Sequence, residues 1–198
     1  AYNTLEDYQA AVRKLKDAGY YVIGRITAFN DPNLATDHPE CVVADLDGNP
    51  LKIGGMYWPS VYSRDVWQYK VDLALEAART ACRLGVDSVL VQDWGLFDLL
   101  RQALPDLPLH ASTQMSVFTS GGVDELYRDG CERVVIAREC SGADTAAACR
   151  SCPAEIEIFG HGALCMCYSG QCYLSAMIGS RSGNRGRCAQ PCRQSSAL

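Results

Sequence analysis

The sequence lacks any apolar run of the roughly 18–20 residues that a membrane-spanning helix needs, and no basic segment is followed by an apolar one as in a secretory leader. It also lacks an excess of basic residues, since 18 Lys and Arg face 23 Asp and Glu, for a formal net charge of −5. That balance argues against a protein that coats nucleic acid non-specifically. We therefore expect a globular, cytoplasmic protein without a membrane span.

Acidic residues are absent from the C-terminal part of the chain. No Asp or Glu follows Glu157, whereas four arginines do: Arg181, Arg185, Arg187 and Arg193. Arginine pairs with carboxylates and phosphates through two parallel hydrogen bonds. This local charge predicts either a site for an anionic ligand or a solvated, arginine-rich loop, and the sequence leaves both open.

Cysteine, by contrast, is abundant. The chain has 11 cysteines, an odd number, and five of them lie between His161 and Arg193. Because we expect a cytoplasmic protein, reduced thiols or metal ligands are favoured over disulfides. Cys149 and Cys152 have the two-residue spacing of zinc ligands, but they fall in a predicted helix without a second such pair, which favours two half-buried helical thiols.

The periodicity of apolar residues predicts an α/β protein. Helical spacing covers residues 5–19 and 63–85, and a β-branched and aromatic run covers residues 20–29. From residue 87 onward, short apolar runs alternate with helical segments, which is the pattern of βα units on a parallel sheet. Five parallel strands in about 200 residues, where a closed eight-stranded barrel takes about 250, predict a partial or incomplete TIM-type (β/α) barrel with a Cys-rich C-terminal segment.

Polar residues recur where the predicted strands end. They are Arg25, Asp93, His110, Thr113, Gln114, Arg138, Glu139 and His161. In (β/α) barrels, the carboxyl ends of the strands form the active-site face. The alternative is that such residues cap the helices that follow, and for Asp93 this explanation is equally good.

The segment EIEIFGHGALCMCYSGQCYLS, followed by RSGNRGRCAQPCR, resembles peptidase family U32, the collagenase-like protease family. The diagnostic residues are Glu157, Phe159, His161, Gly162, Ala163, Leu164, Cys165, Gly170, Cys172 and Ser175. The segments GVDSVLVQDWG, LPLHASTQMSVF and GCERVVIARE precede it at the expected distances. The resemblance covers about residues 83–198.

A different resemblance covers the first part of the chain. GYYVIGRITAFNDPNLATDHPE and GNPLKIGGMYWPSVYSRDVWQYKVDLALEAA are similar to a glycoside-hydrolase barrel domain related to the α-amylase clan. We therefore expect a glycoside-hydrolase-like segment over residues 1–82 and a U32-like segment over residues 83–198. A glycosidase needs two carboxylates, for which Asp31, Asp37, Glu40 and Asp93 are available, although turns supply such acids routinely.

The U32 resemblance implies an iron–sulfur cofactor. Cys165, Cys172 and Cys188 match three ligands of a [4Fe-4S] cluster in iron–sulfur members of the family. The family's fourth ligand has no counterpart in this sequence, and Cys192 is the candidate to replace it. We therefore expect the ligation of the cluster to be incomplete. A chain without any cofactor is the alternative. The iron–sulfur members hydroxylate tRNA, ribosomal RNA or the ubiquinone ring, which implies RNA or a small anion as partner.

Two other functions remain open beside hydroxylation: a genuine protease, as the family name implies, and a non-catalytic hybrid or glycoside-hydrolase-like fragment. In the U32-like segment, the predicted catalytic residues are His161, Glu139, Asp93 and His110. The predicted substrate-binding residues are Gln114, Arg138, Arg181 and Arg185. A hydrolase would need a nucleophile with a base in hydrogen-bond reach, and His161 with Cys165 or Ser169 is the local candidate.

Overall fold

The computed structural model describes residues 4–24, 38–53, 56–57, 59–60, 62–162, 164–179, 181, 183 and 186–193. The chain forms two compact units. We call Ala1–Arg25 with Ala77–Cys172 the sheet unit, and Ile26–Glu76 with Tyr173–Leu198 the hairpin unit. Both units are discontinuous in sequence. The predicted division at residue 82 stays a prediction.

The strands and helices alternate from residue 88 onward. In chain order, the strands are β1 (Ile23–Gly24), β2 (Lys52–Ile53), β3 (Met56–Tyr57), β4 (Ser88–Val91), β5 (Leu109–Ala111), β6 (Arg133–Val135) and β7 (Glu155–Glu157). The helices are α1 (Leu5–Asp17), α2 (Arg64–Leu84), α3 (Trp94–Ala103), α4 (Ser120–Arg128), α5 (Gly142–Ser151) and α6 (Leu174–Gly179).

The sheet unit is built on five parallel strands in the order β1-β4-β5-β6-β7. Consecutive strands β4 to β7 are joined through helices α3, α4 and α5, because parallel neighbours need a crossover connection of this kind. The prediction of an α/β fold with five parallel strands in βα order is confirmed. No helix among the described residues combines the length and apolar character that crossing a membrane demands.

Helix boundaries follow from the polar residues that precede each helix. Thr4 and Asp7 form a reciprocal capping box at the start of α1, and the chain leaves this helix at Gly19, whose φ is 81°. The hydroxyl of Ser63 accepts a hydrogen bond from the amide of Val66 at the start of α2. Such side chains satisfy amides that have no partner inside the helix.

The core of the sheet unit lies between one face of the sheet and helices α3 to α5. Its fully buried apolar side chains include Phe97, Leu100, Leu109, Val123, Leu126 and Val134. Alternation along β5 places Leu109 and Ala111 on this face and His110 on the other. The packing fixes the ends of β5 and β6, from which the loops that carry the candidate site emerge.

The hairpin unit contains the antiparallel pair β2–β3 and two isolated bridges, Val42 to Pro59 and Ala44 to Pro50. Cys41 and Val66 are buried together, with Tyr69 packed against them. Near the C-terminus, the hydroxyl of Ser175 accepts a hydrogen bond from the amide of Ala189 at 2.9 Å. This contact joins α6 to the segment that carries Cys188.

Candidate functional site

The candidate site centres on residues 165–172 of the sheet unit, which we call the cysteine loop. It follows β7 and carries three free thiols. Cys165 is exposed, and Cys167 and Cys172 are half-buried. The U32 resemblance implies that Cys165 and Cys172 are cluster ligands, and it gives no such role to Cys167.

Arg138 holds one end of the cysteine loop. It lies just beyond β6, its side chain is only 14% exposed, and its guanidinium donates one N–H to the backbone carbonyl of Cys165. A second N–H donates to the carbonyl of Cys167 at 2.7 Å. The planar fork of arginine suits two acceptors at once, so one side chain fixes the backbone at two cysteines.

Glu139 holds the other end of the loop through Ser169. Its Oε1 accepts the backbone N–H of Ser169 at 2.5 Å, and its Oε2 accepts the hydroxyl of the same residue at 3.1 Å. Partial burial opposes ionisation of Glu139, but hydrogen bonds from backbone amides and from the Ser169 hydroxyl, together with the charge of Arg138, hold its pKa below the ordinary value. The carboxylate is therefore ionised and fully engaged at neutral pH.

The segment after β5 supplies further contacts to Ser169. The hydroxyl of Thr113 donates to the hydroxyl of Ser169 at 3.3 Å, and the hydroxyl of Ser116 donates to the carbonyl of Ser169 at 2.5 Å. Ser169 is only 3% exposed. Gly170 lies against Gln114 so closely that a Cβ there would be 3.0 Å from the carbonyl carbon of Gln114 and nearer still to its oxygen.

These contacts assign a position to three predicted residues. Gln114, Arg138 and Glu139 come together with the cysteine loop at the carboxyl ends of β5 and β6, as expected for the active-site face of a barrel-type sheet. Their observed contacts are with the loop itself. Their predicted roles toward a substrate stay predictions.

A cavity of about 610 Å³ opens beside the loop and is lined by Arg138, Glu139, Cys165, Met166, Cys167 and Tyr168. Met166 is 82% exposed and Tyr168 is 73% exposed. An ion pair, two thiols, a thioether and a phenol therefore share one wall. This arrangement can hold a polarisable or planar group next to sulfur.

The donor chemistry of the cysteine segment fits a soft metal or an iron–sulfur cluster, because thiolates are the ligands that both prefer. Cys165 and Cys172 belong to the sheet unit, and Cys188 and Cys192, both exposed, belong to the hairpin unit. Among the residues that the structure describes, no group of three His, Cys, Asp or Glu side chains could hold a metal ion.

The two predicted histidines differ in environment. His161 is exposed, and among the described residues no hydrogen bond joins it to Cys165 or Ser169. His110 is only 1% exposed inside β5, stacks on Tyr21 with ring centroids 6.0 Å apart, and contacts the Ser88 hydroxyl at 3.3 Å. Burial and the nearby charge of Arg133 lower the pKa of His110 to about 4, so its ring is neutral at pH 7.

The remaining predicted residues lie elsewhere. Asp93 caps α3, accepting the amide of Leu96 at 2.8 Å, which is the alternative that the sequence allowed. In the hairpin unit, the guanidinium of Arg181 donates to the carbonyl of Arg187 at 3.1 Å, and Glu40 contacts His38 at 3.1 Å. Outside the described residues lie Arg185, Arg25, Asp31 and Asp37.

Sequence reasoning missed two features of the site. Ser116, which has a positive φ of 58°, anchors the loop, and nothing in its sequence context distinguishes it. Cys167, whose backbone carbonyl accepts a hydrogen bond from Arg138 at 2.7 Å, is the second feature. Its sequence signal is the alternation Cys-Met-Cys, in which only the first cysteine belongs to the ligand pattern.

Comparison with known proteins gives two family matches. Residues 66–198 match the model of Peptidase family U32. Residues 1–102 match the model described as "Putative glycosyl hydrolase domain". The matches overlap over residues 66–102, which include most of α2, all of β4 and most of α3.

The similar curated proteins are named either for RNA hydroxylation or for proteolysis. Over 109 residues, the chain is 44% identical to the 23S rRNA 5-hydroxycytidine C2501 synthase of Escherichia coli (strain K12), covering 55% of this chain and 16% of that protein. Over 125 residues, it is 36% identical to the tRNA hydroxylation protein P of the same organism, covering 63% and 28%. Over 97 residues, it is 37% identical to the Collagenase of Porphyromonas gingivalis (strain ATCC BAA-308 / W83), covering 43% and 23%. The chain thus spans less than a third of each of these relatives.

Proposed function

We propose that this chain, which belongs to peptidase family U32 over residues 66–198 and to the family described as "Putative glycosyl hydrolase domain" over residues 1–102, contributes the iron–sulfur site of an RNA-hydroxylating enzyme. The observation that carries the proposal is the cysteine loop, which Arg138 and Glu139 clamp at the carboxyl ends of two parallel strands. Similarity to proteins named for hydroxylation of ribosomal and transfer RNA supports it.

The ligands in this proposal are the thiols that the U32 resemblance implies, Cys165, Cys172 and Cys188, with Cys192 as the candidate for the fourth. A bound [4Fe-4S] cluster would supply redox chemistry, and the U32 resemblance implies a prephenate-derived oxygen donor in place of molecular oxygen. The thiols are free throughout the chain, which supports a reducing compartment. We therefore place the activity in the cytoplasm.

The chain's own residues would divide the work between positioning and binding. Arg138 and Glu139 act as positioning residues, since their hydrogen bonds end on the backbone and on Ser169. Tyr168 lines the cavity and is 73% exposed. Single-stranded RNA bases stack on aromatic rings of this kind, so we assign to Tyr168 the stacking of a substrate base.

Proteolysis is the second candidate, and similarity to a protein named Collagenase favours it. Its local requirement is a nucleophile joined to a base. The hydroxyl of Ser169 does contact the carboxylate of Glu139 at 3.1 Å, but Ser169 is only 3% exposed. A buried serine whose oxygen already serves Thr113 and Glu139 is poorly placed to attack a peptide.

The proposal is tested with ribosomal and transfer RNA incubated anaerobically with the iron-loaded chain and prephenate, the source of the oxygen donor that the U32 resemblance implies, followed by mass spectrometry of the nucleosides. We expect a nucleoside that has gained one oxygen atom, and we expect Tyr168→Ala to lose it while Tyr168→Phe retains it. If RNA treated with the iron-loaded chain contains no such nucleoside and the chain cleaves gelatin, proteolysis takes the place of hydroxylation as the proposed function.

A further inference from the structure

Loops at the carboxyl ends of the parallel strands expose four aromatic rings. Trp94 follows β4, Phe118 follows β5, and Phe159 follows β7. Tyr168 lies in the cysteine loop, which Arg138 binds from the end of β6. All four rings are exposed, between 45% for Trp94 and 73% for Tyr168. We call these four residues the aromatic rim.

The backbone that carries Phe118 is fixed against the candidate site. Val117 is buried, and its carbonyl accepts the amide of Ala137 at 2.8 Å. The carbonyl of Phe118 itself accepts the thiol of Cys140 at 3.4 Å. The two residues between Ala137 and Cys140 are those that hold the cysteine loop, so Phe118 lies beside them while its ring stays in water.

The other rings also stand on ordered backbone. The ring of Trp94 packs edge to face against buried Phe97, with ring centroids 6.2 Å apart and an interplanar angle of 65°. Tyr168 precedes Ser169, whose amide and hydroxyl are both bound to a carboxylate. Phe159 lies two residues beyond the end of β7. Rings held in this way lose little conformational freedom when a ligand stacks on them, which favours binding.

The same edge of the sheet offers little positive charge to a polyanion. Besides His161, its loops contain one arginine, Arg138, and two acids, Asp93 and Glu139. These loops comprise residues 92–94, 112–119, 136–141 and 158–172. The guanidinium of Arg138 already donates to two backbone carbonyls of the cysteine loop. A nucleic acid bound at this edge therefore gains little from contacts to its phosphates.

The rim has the length of a short stretch of nucleotides. Neighbouring strands lie about 4.8 Å apart, so the edge from β4 to β7 extends about 14 Å. One strand of nucleic acid repeats about every 3.4 Å, so this length corresponds to about four stacked bases. Aromatic side chains bind unpaired bases by stacking, because every base has a π-face. In a duplex, neighbouring base pairs already cover these faces.

We propose that the aromatic rim binds single-stranded RNA by stacking on its unpaired bases, and that stacking, rather than pairing with phosphates, supplies most of the binding free energy. The inference deepens the proposed function and rests on it for the class of ligand. It adds a mode of recognition in which an unpaired stretch of RNA is bound and a duplex is excluded. Tyr168 lines the cavity together with Cys165, so a base stacked on Tyr168 is the one brought to the site.

Binding is measured by fluorescence anisotropy of the full chain with a labelled RNA of about 12 nucleotides that has no self-complementarity. Phe118→Leu, which retains an apolar side chain without the ring, should weaken binding at least about fivefold. Phe118→Tyr, which retains the ring, should bind as wild type does.

Tyr127→Ala is the matched control for these variants. Tyr127 is an exposed aromatic residue in the last turn of α4, near the amino end of β6 and therefore at the opposite edge of the sheet. Its replacement should leave the affinity unchanged. If Phe118→Leu binds as tightly as Tyr127→Ala, the proposal is overturned.

The salt dependence of binding separates stacking from phosphate pairing. Each phosphate contact to a single strand contributes about −0.7 to the slope of log affinity against log salt concentration, so we expect a slope shallower than about −1.4, the value for two contacts. We also expect the single strand to bind at least about tenfold more tightly than its duplex. A steeper slope, or equal affinity for the duplex, would show that cations supply the binding free energy and would overturn the proposal.

Nucleoside mass spectrometry on the same variants keeps the two proposals apart. If single-stranded RNA binds as expected but the iron-loaded chain adds no oxygen to it, the proposed function fails while the aromatic rim stands. If oxygen is added and Phe118→Leu leaves the affinity unchanged, the aromatic rim fails while the proposed function stands.

Discussion

The guanidinium of Arg138 donates to the backbone carbonyl of Cys167 at 2.7 Å, across 29 residues of sequence. With its second bond, to the carbonyl of Cys165, this contact makes the conformation of the cysteine loop depend on a side chain that follows β6. The backbone at two cysteines is thus held by a residue that lies at the end of a sheet strand.

Replacing Arg138 should release the loop. A hydrogen bond to a charged group is worth about 1.5–3 kcal/mol, so Arg138→Ala should lower the free energy of unfolding by about 2–4 kcal/mol in urea titrations. Arg138→Lys should recover less than half of this, because an ammonium does not span two carbonyls as a guanidinium does. Alkylation of the half-buried Cys167 should become at least tenfold faster.

The matched control for this prediction is Arg128→Ala. Arg128 is 64% exposed and pairs with Asp124 and Glu125 on its own helix, an arrangement worth only about 0.3–0.5 kcal/mol per pair. Equal stability and equal alkylation rates for the Arg138 and Arg128 variants would contradict the clamp.

Gly170→Ala should damage the loop for two reasons, a positive φ of 75° and the collision of a Cβ with the Gln114 carbonyl. Gly19→Ala is the matched control, because Gly19 has a similar φ of 81° but open space around it. The left-handed backbone costs roughly 1–2 kcal/mol, and the collision should at least double that loss for Gly170. Similar melting temperatures for the two variants would show that the close approach is unimportant.

Acid should weaken the anchor at Glu139. Since its pKa in the folded chain is held below the ordinary value, its contribution is fully present above the unfolded-state pKa of about 4.3 and is lost as pH falls through the lower folded value. Glu139→Gln should flatten that part of the stability–pH curve. Glu132→Gln, at an exposed site in the same unit, should leave the curve unchanged. Unfolding free energies measured from pH 3 to 5 would refute the prediction if both variants followed wild type.

His110 should govern a different pH range. Its pKa is about 4 in the folded chain and about 6.5 when unfolded, so the unfolded chain binds the extra proton first as pH falls. Stability should therefore decrease from pH 6.5 to 4, by an amount on the order of 3 kcal/mol. His110→Phe, which retains the ring beside Tyr21, should remove this slope, and a wild-type curve flat across the range would contradict the assignment.

The alternating part of the fold could be predicted because each element has its own local signal. Ser63 and Gly85 mark the limits of α2, and the apolar runs around Val89, Leu109 and Val134 are short and flanked by turns. The two-unit organisation could not be predicted, since it depends on how distant segments such as Tyr173–Leu198 and Ile26–Glu76 associate. Local periodicity contains no information about such associations.

The candidate site was predictable in location but not in detail. Arg138 and Glu139 were identified by their place after a strand, whereas their binding partners, the backbone at Cys165 and Cys167 and the side chain of Ser169, depend on the path of a later loop. Asp93 shows the limit of such reasoning, because a carboxylate after a strand caps α3 and has the same sequence signature as a catalytic acid. Only the three-dimensional contacts distinguish the two.

The central claim, that the thiols of this chain hold an iron–sulfur cluster, is tested most directly by anaerobic reconstitution with iron and sulfide, followed by an absorption spectrum and an iron count. The account predicts a brown protein with charge-transfer absorption in the visible range, lost in Cys172→Ser and retained in Cys149→Ser. A colourless, iron-free wild-type chain, or a spectrum unchanged by Cys172→Ser, would contradict it.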